Sequence, residues 1–480
     1  MPPKHKKVGR ESVSVDIFSN LPSDVTDAIL MCLLLRDIVR TSILSKRWRY
    51  KWCKLPELTL NLNHLRTNDL IPPTLQFTNI MYHLLTLHVG PIIKFTLSIN
   101  CFLETCPVID NLIFFLSRNG IQHLVLQLPS DGKLPSSVFK CLQLRHLIIR
   151  SYVIVFPPAL EKFDRLVNLE LCSVSISSKL LESLISNCSF LQQLVLKLSR
   201  LTLTSVVEIK APMLRSFDFS GSIQYICLKN IPLLAKVSLI DEDCFSAKST
   251  KCDIINFFKS FVVLENLHLS EAGTGGVPAR LPFDLKFVKR LRLSSIYLDK
   301  QDEILCALCL IKSCPYLEYI DIVQVYDSPA LPCLELEGLS DVMFSHLKEV
   351  KPEGFLAPVV GMQLIKLLLD KSPVLVRMLI KPYIDDDHHW QLCESLSKTN
   401  NLLAAVNAFR RALPKAELKP FSRISILFLP LAGRRTWSSA EYARPVTKCG
   451  TAVKAVCVRE LVKAAEYFTN QKQGCCLYVW

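Results

Sequence analysis

The sequence predicts an α/β chain. A compact helical module at the N-terminus leads into a solenoid with short parallel strands on its concave side and helices outside. Three observations predict this. Residues 17–52 carry apolar positions at helical spacing behind a proline. From about residue 90 one apolar pattern recurs every 20 to 30 residues. Glycine is scarce, 14 residues against 27 prolines, which argues against a glycine-turned β-sandwich and against phosphate-cradling loops.

The helical module comes first. In "IFSNLPSDVTDAILMCLLLR" (17–36), Pro22 cannot continue a helix backward. Ser23 and Asp24 then supply an N-cap and a first-turn acid. Val25, Ile29 and Leu33 repeat every four residues beside Ala28 and Leu30, giving one apolar face. A break at Leu35–Arg36 precedes "DIVRTSILSKRWRYKW", in which Ile38, Thr41, Leu44, Trp48 and Trp52 align at helical spacing. The sum is a three-helix unit of about forty residues, a size that is marginal alone and completes its burial on a partner.

The basic-aromatic run "KRWRYKW" also suits the recognition helix of a DNA-binding module. Such helices read adenine through asparagine or glutamine, and residues 42–54 contain neither. A membrane-surface helix needs a longer apolar face. No apolar stretch reaches the ~20 residues of a spanning helix.

Residues 16–60 resemble an F-box of the plant type, with the pattern "LP…IL…L…D.VRTS.LSKRWR.LW". Leu21, Pro22, Ile29, Leu30, Leu33, Asp37, Val39, Arg40, Thr41, Ser42, Leu44, Ser45, Lys46, Arg47, Trp48, Arg49 and Trp52 match it. The pattern departs at Thr26, where the family has leucine or isoleucine, and at Leu34, where it has proline. The resemblance implies docking on a Skp-type adaptor and, through it, a cullin–RING ubiquitin ligase. The expected adaptor-binding residues are Leu21, Pro22, Val25, Ile29, Leu30, Leu33, Val39, Leu44, Arg47 and Trp48. A basic rim (Arg40, Lys46, Arg47, Arg49) complements an acidic partner and mainly raises the association rate. The other role open to Trp48 and Trp52 is to staple the module to the domain that follows.

The long middle, 61–340, reads apolar-x-x-apolar-x-apolar. Its triples are Ile92/Phe95/Leu97, Ile121/Leu124/Leu126, Leu144/Leu147/Ile149, Leu166/Leu169/Leu171 and Leu191/Leu194/Leu196. They continue at Leu214/Phe217/Phe219, Leu234/Val237/Leu239, Leu264/Leu267/Leu269, Val288/Leu291/Leu293 and Leu317/Ile320/Ile322. This is leucine-rich-repeat spacing, without the usual asparagine, so an irregular coil is expected. Segments such as "SSKLLESLISNCSF" and "KQDEILCALCLIKSCPY" supply helices that end in Asn-Cys or Ser-Cys. No single coil can bury its own apolar face, so stacking is obligatory.

Residues 341–418 continue with Leu347/Val350 and Leu375/Met378/Ile380. They are similar to the FBD region of plant F-box proteins, with its "HLK.V…G" strand, "LIKLLL..SPVL..M.I" pair and closing "F.RA.PKAE". The tail, 419–480, has no repeat register. The basic N-terminus, 1–15, is a flexible arm in which Lys4–Lys7 either serve nuclear import or do nothing.

Nineteen cysteines without a signal-like apolar N-terminus read as buried, reduced small hydrophobes. Cys306 and Cys309 have half a zinc-site spacing but fall in an apolar helical run. His388 and His389 beside Asp385–Asp387 read as a solvated acidic loop, and Gly273–Gly276 as a flexible loop. Nucleophile–base and phosphate-loop motifs are missing, so no catalytic, cofactor or metal residues are expected.

The expected function is that of a non-catalytic, target-recruiting ubiquitin-ligase subunit, located in the nucleus or cytoplasm. Its partners would be a Skp-type adaptor, a cullin and an unknown target protein, with neither nucleic acid nor membrane. The reading from another class is a non-degradative repeat scaffold whose F-box is degenerate at Thr26 and Leu34.

Overall fold

The computed structural model describes residues 21–33, 35–42, 48–61, 73–99, 107–154, 162–198, 205–221, 225–240, 258–259, 261–270, 280–297, 301–325, 343–355, 359–382 and 417–420. These fall into two compact units, one up to Pro129 and one from Ser130 onward. Leu34, Leu44, Lys46, Arg47, Gly273–Gly276, Asp385–His389, the basic arm and all of the tail after Pro420 lie outside the described residues.

In the first unit, helices α1 (Ser23–Leu30) and α2 (Leu35–Thr41) are joined by a turn. Trp48 lies in a turn and Trp52 in the 3-10 turn Lys51–Lys54, so one regular helix through both tryptophans is not formed. Strand β1 (Glu57–Asn61), helix α3 (Pro73–Leu87), β2 (Lys94–Ser98), α4 (Pro107–Arg118) and β3 (His123–Lys133) follow. The three strands pair in parallel, with Leu58, Phe95 and Leu124 in one register row. The repeats therefore begin one coil earlier than expected, because Leu55, Leu58 and Leu60 carry the same spacing and are buried.

The second unit runs β4 (His146–Val153), β5 (Asn168–Val174), α5 (Ser178–Ser186), β6 (Gln193–Leu198), β7 (Val207–Lys210), β8 (Ser216–Ser220), β9 (Ile226–Lys229), β10 (Lys236–Ile240) and β11 (Asn266–Ser270). It continues with β12 (Arg290–Ile296), α6 (Gln301–Ser313), β13 (Tyr319–Gln324), β14 (Glu349–Phe355), α7 (Val359–Lys371), β15 (Arg377–Pro382) and β16 (Glu417–Pro420). Its sheet is parallel throughout, in the order β4-β5-β6-β8-β10-β11-β12-β13-β14-β15-β16. Strands β7 and β9 form a separate parallel pair, with Val207, Ile209, Ile226 and Leu228 buried. Helices were expected between all the sheet strands. Here the coils starting at Leu191 and Leu214 are only 23 and 20 residues long, and each places a short strand where a longer coil has a helix.

Every residue of the expected triples is buried, none above 5% exposed. Stacking is fixed by a repeated backbone arrangement. The Arg145 carbonyl accepts from the N–H groups of both Val167 (2.8 Å) and Asn168 (3.0 Å). The Val167 carbonyl accepts from Gln192 and Gln193, and the same step recurs up to Lys348, which accepts from Val376 and Arg377. Pairs of amides at each strand entry are thus satisfied by the preceding coil. The helix ends are tied down similarly: Phe163 N–H donates to the Asn187 carbonyl (2.9 Å) and Leu285 N–H to that of Ser313 (2.7 Å). The neighbouring Cys188 and Cys314 are buried, and burial pushes both thiols up to about 12. Cys306 and Cys309 sit buried on α6 as core residues.

Four coils share one irregularity. Ser151, Ser173, Ser295 and Gly354 have φ of 63°, 52°, 54° and 80°. Each stands four residues after the first inward strand residue, that is Leu147, Leu169, Leu291 or Val350. A left-handed residue there shifts the alternation by one, so Tyr152, Val174 and Ile296 turn inward and are buried. At Gly354 a Cβ would stand 2.4 Å from the Gln324 carbonyl oxygen. The glycine of "HLK.V…G" is therefore required both by φ and by space. Replacing Gly354 with alanine is expected to destabilise the chain by about 2 kcal/mol or more. Gly120→Ala, also at positive φ but with nothing within 4 Å, should cost about 1 kcal/mol. Urea unfolding of the two variants checks the difference, and equal losses would remove the steric explanation.

Candidate functional site

Helix α1 carries three distinct stripes. Thr26, Leu30 and Leu33 form the buried one, at 1%, 0% and 6% exposure. The expected single apolar face Val25–Ile29–Leu33 is divided: Val25 is exposed and Ile29 half-buried, while Leu33 goes inside together with Thr26. Burial of Thr26 is tolerated because its hydroxyl donates to the Pro22 carbonyl at 2.9 Å, within its own helix. The departure from the F-box pattern at this position therefore leaves no unsatisfied polar group.

The second stripe is gripped from below. Lys51, at the 3-10 turn, donates through Nζ to the Ser23 carbonyl (3.3 Å) and Ser23 Oγ (2.9 Å) and pairs with Asp27 Oδ1 (3.2 Å). Ser23 therefore does not act as the N-cap; Pro22 occupies that position and makes no side-chain cap. Asp24 does fall in the first turn.

The third stripe, Pro22, Val25, Ile29 and Cys32, follows i, i+3, i+7, i+10 spacing and is open to solvent except for half-buried Ile29. Leu21 and Val39 are also half-buried, and the Met31 and Tyr50 side chains, missed in the sequence, are 43% and 65% exposed. Of the ten expected contact residues, Leu30, Leu33 and Trp48 are instead core, with Trp48 at 1% exposure. They shape the module and cannot touch a partner while it stays closed. Leu44 and Arg47 lie outside the described residues.

The module is fixed to the first coil of its unit. Leu35, Ile38 and Thr41 bury one side of α2, which packs against β1 and the 3-10 turn. Val89 N–H donates to the Cys53 carbonyl (2.8 Å), and His88 Nε2 lies 3.0 Å from the Leu55 carbonyl oxygen. Trp52 and Cys53, in the 3-10 turn at this joint, are buried.

In the second unit, side chains on the open face of the sheet line a trough of about 560 Å³ from β8 to β15. His268, on β11, bridges two neighbouring strands: Nδ1 is 3.0 Å from Ser238 Oγ and Nε2 2.7 Å from Ser294 Oγ. Burial, and then the Arg292 charge, lower its pKa, against a smaller opposing effect of Asp218. Arg292 Nε is 3.7 Å from Asp321 Oδ2, and the Arg290 guanidinium lies 4.2 Å over the Tyr319 ring. Glu349 pairs with Lys351 (3.0 Å) and Arg377 (2.5 Å). Burial pushes its carboxyl up, but these two hydrogen bonds and charges hold it below the usual range. Among the described residues no group of three or more His, Cys, Asp or Glu could hold a metal ion. Also among them, no helix is long and apolar enough to cross a membrane.

Comparison with known proteins agrees with both regions. The F-box domain model matches residues 18–59, and a model described as FBD-associated F-box protein At5g56370, LRR repeats, matches residues 109–259. F-box/FBD/LRR-repeat protein At1g13570 of Arabidopsis thaliana is 31% identical over 392 residues, covering 78% of this chain and 92% of that protein. The chain belongs to the plant F-box/FBD/LRR-repeat family. F-box/FBD/LRR-repeat protein At5g56420 of the same organism is 27% identical over 300 residues, 59% of this chain and 66% of that one. Among solved structures, an LRR protein of Leptospira interrogans aligns at 16% identity with a TM-score of 0.28, covering 75% of this chain and 95% of that chain. F-box domains generally bind Skp-type adaptors, and relatives in the F-box/LRR family are typically non-catalytic.

Two outcomes test this geometry. Lys51→Ala should speed amide hydrogen exchange across 23–30 severalfold while leaving the strands protected; unchanged exchange would show that the clamp holds nothing. His268 has a depressed folded pKa, so its contribution is present above the unfolded value of about 6.5 and is lost as pH falls through the folded value. Melting temperature should therefore decline on acidification below about 6.5, and His268→Gln should flatten that decline.

Proposed function

We propose that this chain is the target-recruiting subunit of an SCF-type cullin–RING ubiquitin ligase. The F-box at about residues 16–60 engages a Skp-type adaptor, and the repeats hold the protein to be modified. The observation that carries this reading is the solvent-facing stripe Pro22–Val25–Ile29 on α1, which lies on a different side of the helix from the buried Thr26–Leu30–Leu33. A helix that fills its core with one stripe and leaves an apolar stripe open is built to dock. Leu21 and Val39 are half-buried in the same module, which also carries Arg40, 3.6 Å from Asp37 Oδ1, and the exposed Arg49.

Function in such a subunit is proximity. The chain makes and breaks no bond; it raises the effective concentration of target lysines near a charged conjugating enzyme. Residues of about 61–340 form the repeats proper in this reading. The FBD-like stretch of about 341–418 extends the same sheet through β14, β15 and β16. An intracellular setting, nuclear or cytoplasmic, follows from the partners proposed. The alternative, a degenerate-F-box scaffold, rests on Thr26 and Leu34: the Thr26 hydroxyl is satisfied within the module, and Leu34 lies outside the described residues.

Val25→Asp places a charge in the open stripe without touching the core. Co-purification of the full chain with a plant Skp-type adaptor should fall at least about tenfold for this variant, with the melting temperature unchanged. Full retention of adaptor would move the docking face elsewhere.

A further inference from the structure

The trough of the second unit offers more than a generic protein-binding face. On the three neighbouring strands β10, β11 and β12, Lys236, Asn266 and Arg290 occupy one register row. All three side chains are hydrogen-bond donors, and no carboxylate interrupts the row. Among the described residues neither Lys236 nor Asn266 makes a side-chain hydrogen bond or ion pair, and Arg290 touches only the Tyr319 ring. The remaining trough cations differ: Arg292, Lys351 and Arg377 each have a carboxylate partner on the sheet.

Adjacent strands lie about 4.8 Å apart, so Lys236 and Arg290 flank the Asn266 amide at roughly 10 Å separation. An anionic side chain seated over Asn266 meets a cation on each side. The Arg290 guanidinium, held 4.2 Å over the Tyr319 ring, presents its N–H donors with little further ordering cost.

The trough spans seven neighbouring strands, roughly 30 Å. A small ligand on so open a surface leaves much of itself in water, unlike in an enclosed pocket. An extended peptide of about nine residues matches that length. Asp218 and Asp321 stand in the next row on either side of the patch, and Glu349 two strands beyond Arg290, so the unpaired cations are confined to a patch one residue wide, which suits a single acidic residue.

We infer that the trough recognises an extended segment of the target protein, by seating one anionic side chain on the Lys236–Asn266–Arg290 row. This rests on the target-recruiting reading above and names the chemistry its target must carry. A glutamate or aspartate and a phosphorylated serine share that chemistry.

The test uses the full chain and fluorescent peptide pools with randomised flanks, whose central residues are Glu-Glu, phosphoserine or Gln-Gln. The expected result is binding of the Glu or phosphoserine pool at least about tenfold tighter than the Gln pool, weakened about tenfold or more in Lys236→Gln/Arg290→Gln. Preference between the two anionic pools then assigns the source of the charge. Equal binding of all pools, no binding of any, or undiminished binding by the double variant overturns the inference. A melting temperature equal to wild type shows that the variant is folded. Adaptor co-purification is read on the same samples. If wild type binds the anionic pools but no adaptor, the ligase reading falls and the anion site stands. If adaptor is retained and the pools show no charge preference, the reverse holds.

Discussion

The repeat structure depends on one backbone constraint: amides at the entry of each strand find their acceptors on the coil before. One carbonyl takes two successive N–H groups, first at Pro56, which accepts from Ile93 and Lys94, and again at Arg145 and onward in the second unit. Because a buried amide without an acceptor is costly, the vertical offset between coils has little freedom. The inward leucines then fall into straight rows, as in Leu169, Leu194 and Phe217, and stacked rows make a continuous core that no coil builds alone. The outward side chains are carried into rows by the same offset.

The helical module solves a different problem, that of joining a small core to the first coil. Its hydrophobic content is spent inward through Leu30, Leu33, Ile38, Trp48 and Trp52. Polar contacts set its orientation: the Lys51 ammonium holds the start of α1, and the His88 imidazole and Val89 amide meet the carbonyls that follow the 3-10 turn. A module seated this way leaves its open stripe available.

Much of the fold was legible in the sequence because inward strand positions obey a period of two and must be apolar, which the leucine triples display directly. The triple Leu55/Leu58/Leu60 carries the same signal, but it follows immediately on Trp52 and reads as the end of the helical run. The strands β7 and β9 were not legible, since Val207–Lys210 and Ile226–Lys229 lack the triple and lie where longer coils hold helices. On the candidate docking face, the spacing of Val25, Ile29 and Leu33 suggested a single apolar face. The structure divides that face: Leu33 is buried with Thr26, whose hydroxyl is satisfied, Val25 stays exposed, and Lys51 holds the Ser23–Asp27 side. The trough was not legible at all: Lys236, Asn266 and Arg290 are 30 and 24 positions apart, and only register brings them together.

That last point bears on how such a chain can change. Because each coil is bonded to its immediate neighbours by the same backbone step, loss or duplication of one whole coil leaves a sheet that still closes its hydrogen bonds. What the event rewrites is the text on the open face. Removing the coil of β11 would place Lys236 directly beside Arg290, delete the amide between them, and take His268 from between Ser238 and Ser294. The scaffold thus permits new surfaces to arise by whole-coil recombination, in steps larger than single substitutions and with the fold already secured.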